Sequence, residues 1–193
     1  MKFKSLLSLV MFSAILISSS VSFAQQSDQA EMMKKWQEYM TPGAVHQQFA
    51  KTVGNWKVVV TSFMGGQESK SEGSASCEML LGGRYLKSSF KGNMMGMPFE
   101  GMSLDAYDNA TKEYINVWID SFGTGVMNLK GKMDEKTKEI IYTGTMVDPM
   151  TGKDAMTKNV LKNIDDDHQL MVMYMIEGGQ EIKNMQLEYT RVK

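Results

Sequence analysis

PFEGMSLDAYDNATKEYINVWIDSFGTG, residues Pro98 to Gly125, reads as two strands joined at a tight turn. Leu104, Ala106 and Asp108 alternate with Asp105, Tyr107 and Asn109, the period of two that a pleated strand imposes. Asp108-Asn109-Ala110-Thr111 follows, with side chains that bond their own backbone and tolerate left-handed conformations. Glu113, Ile115, Val117 and Ile119 then alternate with Tyr114, Asn116, Trp118 and Asp120, rich in aromatic and β-branched residues. Phe122-Gly123-Thr124-Gly125 turns the chain again, so a meander begins here.

The pattern extends in both directions. Trp56–Phe63 is a strand ended by Gly65-Gly66, and Glu72–Leu80 pairs with Arg84–Lys91 across Gly82-Gly83. After the central hairpin come Val126–Met133, Glu139–Val147, Asp154–Ile164, Gln169–Glu177 and Glu181–Val192, separated by polar or Gly-containing turns. About ten strands at regular spacing, without the helical crossovers that a parallel sheet needs, predict an all-β, antiparallel up-and-down barrel. One or two short helices precede it. Ala30, Met33, Trp36 and Met40 recur at helical steps between Ser27 and Met40, with Ser27 or Asp28 as cap. A second helix is expected over Ala44–Thr52. The apolar residues of the first helix need a partner surface. The barrel mouth is the nearest, but a tethering stalk is equally compatible with the pattern.

The N-terminus reads as an export signal. Lys2 and Lys4 precede an apolar run from Leu6 to Ile17, and Ser22-Phe23-Ala24 supplies a small-x-small site, placing the cut after Ala24. The expected organisation is a signal peptide over 1–24, a helical segment over 25–53 and a barrel domain over 54–193, in the periplasm or secreted. Of the 193 residues, 169 would remain, and the formal charge would move from −1 to −3 as Lys2 and Lys4 leave. An acidic surface without a basic stripe argues against nucleic acid and against anionic lipid. The apolar run is short for a spanning helix, so no stable membrane insertion is expected after cleavage. Cys77 is the one cysteine, so no internal disulfide can form. It is expected to pack as a small hydrophobe.

Several stretches together resemble the uncharacterised bacterial family catalogued as domain of unknown function 1579. They are PGAVHQQFAKTVGNW (Pro42–Trp56), LGGRYL (Leu81–Leu86), the Pro98–Gly125 segment, DPMTGK (Asp148–Lys153), DDDH (Asp165–His168) and YTR (Tyr189–Arg191). Ala106 departs from the family's glycine in a G-Y-D triplet. The resemblance implies a calycin-like, lipocalin-type barrel and brings no catalytic residue with it.

Function must then come from the barrel, whose lumen can hold one small ligand. The leading expectation is a small apolar or amphipathic ligand, with Arg84, Tyr107, Asn116, Trp118 and Asp120 as binding residues. The competing structural reading makes Trp118 core, with Asp120 and Arg84 capping loops. One alternative is an enzyme using Glu100, Asp120 and Arg84. No nucleophile elbow, zinc-protease helix or P-loop supports it. The other is a metal or haem binder using methionines or His168. Of 20 methionines, 18 lie beyond residue 24. Met94, Met95 and Met97 read as part of a flexible loop, and Met171, Met173 and Met175 share one strand face. Thioethers suit Cu(I) but also serve as pliable apolar filler. His46 and His168 make no zinc spacing, and the Asp165–Asp167 run reads as a solvated turn. No cofactor is expected, and the oligomeric state is left open.

Overall fold

The computed structural model describes residues 28–193. The proposed leader and the Ser27 cap lie outside that range. The chain divides into two units, Met1–Thr41 and Pro42–Lys193. In the first, residues 28–40 form helix α1, with a Glu31–Lys35 pair at 2.7 Å and Trp36 edge-on to Tyr39.

The second unit holds helix α2 (Ala44–Lys51) and ten strands. These are β1 (Gly54–Met64), β2 (Gln67–Leu80), β3 (Tyr85–Met94), β4 (Met97–Asp108) and β5 (Glu113–Asp120), then β6 (Met127–Met133), β7 (Ile140–Val147), β8 (Asp154–Asn163), β9 (His168–Glu177) and β10 (Gln180–Arg191). Each strand pairs antiparallel with the next, and β1 pairs with β10, so the sheet closes into a barrel. Closure leaves no unpaired edge to template aggregation. The predicted all-β barrel and its strand count hold.

Strand reversal sorts the turns into two ends. β1 leaves α2, so the turns at 81–84, 109–112, 134–139 and 164–167 gather at the α2 end. Those at 65–66, 95–96, 121–126, 148–153 and 178–179 form the opposite rim. Met95 and Gly96 make a two-residue turn with both φ angles positive, 52° and 77°, which matches the right-handed twist of the flanking strands. The expected flexible loop at Met94–Met97 is therefore a tight hairpin, because Met94 and Met97 pair directly across it. Turn chemistry outweighs the methionine composition there.

The α2 end is closed by side chains. Arg191 donates from Nη2 to the Lys51 carbonyl at 2.6 Å, from Nη1 to that of Val53 at 2.8 Å and from Nε to that of Asp166 at 3.0 Å. Its guanidinium also lies 4.2 Å from the Trp56 ring centroid. It thus ties the C-terminal carbonyls of α2 to the turn before β9 and to the start of β1. Trp56 Nε1 donates to the Thr52 carbonyl at 2.9 Å. At the other end of α2 the Gly43 amide donates to His46 Nδ1 at 3.0 Å, which requires that nitrogen to be unprotonated. Burial and the nearby Arg84 charge hold the His46 pKa down, while a hydrogen bond to the Tyr107 backbone acts the other way.

The outer wall carries cross-strand ion pairs: Lys57–Glu72 at 2.9 Å, Lys87–Glu78 at 2.9 Å, Lys91–Glu100 at 3.0 Å and Lys158–Glu181 at 2.8 Å. Each contributes at most about 1 kcal/mol when exposed. Their position matters more, because a lipid-spanning barrel presents an apolar band where this one presents charges. No helix among the described residues is long and apolar enough to cross a membrane.

Candidate functional site: the barrel lumen

Register decides which residues face inward. Trp56 lies opposite Ala75 and Arg191, Asp105 opposite Leu86 and Asn116, Tyr114 opposite Tyr107 and Gly131, and Tyr142 opposite Asn159. Buried apolar residues mark this face as the inside, so Tyr114, Asn116, Trp118 and Asp120 form the inward row of β5. Ile115, Val117 and Ile119 face out.

On one arc the lumen is filled. Trp56, Val58, Val60, Ala75, Phe90 and Phe99 form a buried cluster with Trp118 packed against it. Trp118 stacks on Phe99 at 6.4 Å, and Phe122 meets Phe99 edge-on at 5.0 Å. Gly101 makes this possible. A Cβ there would sit 2.2 Å from the indole, so only glycine leaves room for it. A second cluster, containing Phe49, Leu86, Tyr114, Leu129, Ile140 and Tyr142, lies beneath α2.

The β9–β10 arc differs. Gln169, Met171, Met173 and Met175 face in from β9, and Met185, Leu187 and Tyr189 from β10, all only half-buried; the three from β10 pack against the Trp56 cluster, while the four from β9 join neither cluster. Every strand from β1 to β8 has at least one buried inward residue; β9 and β10 have none. Met173 sits in mid-strand on the inward row, opposite Asn159 and Met185.

A polar belt crosses the middle. Asp105 accepts from Ser103 Oγ at 3.0 Å and from Asn116 Nδ2 at 2.7 Å. Burial pushes its carboxyl up, with those two hydrogen bonds opposing the rise. Burial, Asp105 and Tyr114 push the Tyr142 hydroxyl well up, and burial, Cys77 and Asp105 do the same to Tyr189. Asp105 and Tyr189 both stand on inward rows and retain some accessible surface, Tyr189 packing against the Trp56 cluster. Cys77 packs between the two clusters, donates to Ser88 Oγ at 3.3 Å and has its thiol pushed up by burial, the environment of an inert cysteine. Among the described residues three buried polar atoms have no protein partner: Tyr142 Oη, Asn159 Oδ1 and, at the β10 bulge, Asn184 Oδ1. Leaving such a group unpaired costs about 1–3 kcal/mol.

The five residues named from sequence do not form one cluster. Tyr107 is at the α2 end, where its ring meets His46 at 6.1 Å and Tyr114 at 5.0 Å. Asn116 is in the polar belt. Trp118 and Asp120 are toward the opposite rim, where Trp118 Nε1 donates to Asp120 Oδ2 at 2.7 Å and the Phe122 amide to Oδ1 at 2.9 Å. Arg84 lies outside the lumen, in the β2–β3 turn, donating to the Leu81 carbonyl at 3.0 Å. The carboxylate pair Glu100–Asp120 does not exist as a site. Asp120 is opposite Gly101, so neighbouring Glu100 faces outward and pairs with Lys91. His168 is likewise no lumen ligand. Gln169 faces in opposite Tyr189, so His168 faces out, where Nδ1 meets Asp165 at 2.9 Å. Among the described residues no group of three His, Cys, Asp or Glu is placed to hold a metal. A cleft of about 460 Å³ on the outer wall, bordered by Glu113, Lys130, Lys132 and Thr143, is shallow and wide open.

Sequence reasoning missed Asp105, Tyr142, Asn159 and Tyr189. The signal for Asp105 was present, because the alternation that puts Tyr107 on a face puts Asp105 on the same one. Tyr142 and Asn159 carried no local mark, since only barrel closure turns their rows toward Asp105.

The architecture is that of a closed, ten-stranded, antiparallel up-and-down barrel. The chain belongs to the family described as protein of unknown function DUF1579, which matches residues 41–191. Among solved structures it is similar to Rv2717c from M. tuberculosis, at 12% identity and TM-score 0.59, over 79% of this chain and 100% of that one. It is also similar to the S-type phycobiliprotein lyase CPES from Guillardia theta, at 11% identity and TM-score 0.55, over 78% and 94%. At these identities the likeness is one of fold. No curated protein matches the chain.

Proposed function

We propose that this protein binds one small apolar or amphipathic molecule in the barrel lumen. The observation that carries the reading is the β9 face, where four consecutive inward positions, Gln169, Met171, Met173 and Met175, stay half-buried inside a closed barrel and join neither buried cluster. Thioethers suit that task, because methionine adapts its shape to different apolar partners at little cost. Asn116 and Trp118 line the same space in this reading, Asp120 holds the Trp118 indole, and Tyr107 marks the closed end. Arg84 serves the β2–β3 turn. The rim opposite α2 is the entry side, and it exposes Met95 (68%) and Met150 (90%) as apolar contacts for an incoming ligand. With the export signal in the sequence, the ligand is met in the periplasm or outside the cell.

Native mass spectrometry of the processed protein from its producing cells tests this. An added mass lost on denaturation supports the reading, and its value separates an organic ligand from a metal ion on the methionines. Met173→Trp should fill the arc, leave the protein folded by near-ultraviolet circular dichroism, and abolish that added mass. Retention of the mass by a folded Met173→Trp protein would sink the lumen as the site.

A further inference from the structure

The polar belt indicates what kind of molecule the lumen accepts. Asn159 Oδ1 is an acceptor without a donor, on a side chain only 3% exposed. Its cross-strand neighbour Tyr142, 2% exposed, has a hydroxyl without a partner. Across from them the Asp105 carboxylate receives one hydrogen bond on each oxygen, both from neutral side chains, Ser103 and Asn116. Each carboxylate oxygen has further acceptor capacity. Among the described inward-facing residues the one cation is Arg191, and its guanidinium is engaged by the Lys51, Val53 and Asp166 carbonyls and by Asp167 at 3.3 Å. The belt therefore has acceptors to offer, one of them acidic, and no free positive charge.

On the reading of the lumen as a ligand site, we infer that the ligand is an amphipathic molecule whose polar end donates hydrogen bonds, an ammonium or hydroxyl head, seated against Asp105 and Asn159, with its apolar body along Met171, Met173, Met185 and Leu187. A carboxylate head is disfavoured by the same chemistry. It would bring a second anion beside Asp105 and leave the Asn159 acceptor unpaired, and like charges in a low-dielectric site repel strongly. Tyr142 serves either kind of head, since burial keeps its hydroxyl neutral and able to donate or accept.

Isothermal titration calorimetry of the processed protein with octylamine, 1-octanol and octanoate at neutral pH tests the inference. Octylamine is expected to bind roughly tenfold or more tighter than octanoate, with 1-octanol between them. Asp105→Asn should bring octylamine and octanoate within about threefold of each other, by removing the charge while keeping the shape. Asn159→Leu should weaken octylamine and octanol and leave octanoate unchanged. Octanoate binding as tightly as octylamine, or an unchanged order in both variants, overturns the inference and leaves the lumen reading intact. If none of the three binds, both fall.

Discussion

The two arcs of this barrel obey the same alternation and end in the same closed sheet, yet the inward rows of β1–β5 build the buried clusters while that of β9 joins neither. On the β1–β5 arc, large rigid side chains interdigitate: Phe90, Phe99 and Trp118 meet in stacked and edge-on pairs, and Gly101 makes space for the indole. On β9 the inward side chains are Gln169 and three methionines, and none is buried. The lesson is that closure by itself does not fill a barrel. Filling needs complementary shapes, and the flexible thioethers of Met171, Met173 and Met175 supply apolar surface without a fixed jigsaw.

This contrast can be broken by truncation. Leu129→Ala, at a fully buried position, should cost about 3–4 kcal/mol in urea denaturation, because the surrounding wall cannot collapse into the hole. Met173→Ala should cost less than about 1.5 kcal/mol, since the side chain is only half-buried and joins neither cluster. Equal costs would mean that the arcs are packed alike. Arg191 of β10 stands apart from this contrast, as its work lies at the α2 end. Arg191→Ala should lose about 2–3 kcal/mol and expose the amides of 44–53 to hydrogen exchange, and Arg191→Lys should recover little, lacking the fork that reaches three carbonyls.

Overpacking sharpens the same comparison. Gly101→Ala should destabilise by about 2 kcal/mol and shift Trp118 fluorescence, as the indole is pushed off its seat. For Asp105 the prediction concerns pH. Its folded-state pKa is raised, so the native state holds its proton more tightly than the unfolded chain. Its destabilising effect is absent below the unfolded value and grows as pH rises through the folded one. The titratable groups facing it are Cys77, Tyr142 and Tyr189, all held neutral by burial. Asp105→Asn should therefore gain stability over the parent at neutral pH and lose that advantage in acid, as followed by thermal melts across that range. An advantage that persists unchanged into acid would mean that the charge is not the cause. The smallest effect is expected at the rim. Met95→Asn should stabilise by about 0.5 kcal/mol, because asparagine accepts the left-handed conformation that methionine adopts there with strain.

How much of this was legible in advance differs by level. The central segment shows its own hairpin, since its polar turn Asp108–Thr111 and its two alternating rows are local properties. Glycine pairs marked the 65–66, 82–83 and 178–179 turns for the same reason. The site was less legible. Tyr107, Asn116, Trp118 and Asp120 could be grouped on faces, but their heights along the barrel depend on strand stagger, which no local pattern states. Glu100 and Asp120 seemed partners in sequence and lie on opposite sides of the wall.

Alone, the sequence determined the strand count, the turn positions, the up-and-down order and the methionine supply, because each follows from alternation and turn chemistry within a few residues. Tertiary structure alone decided which row faces the lumen, that the inward row of β5 is its polar and aromatic one, and that Asp105, Tyr142, Asn159 and Tyr189 share one belt. Those facts depend on β1 meeting β10. Closure fixes inside from outside for every strand at once, and it brings together side chains that stand far apart along the chain.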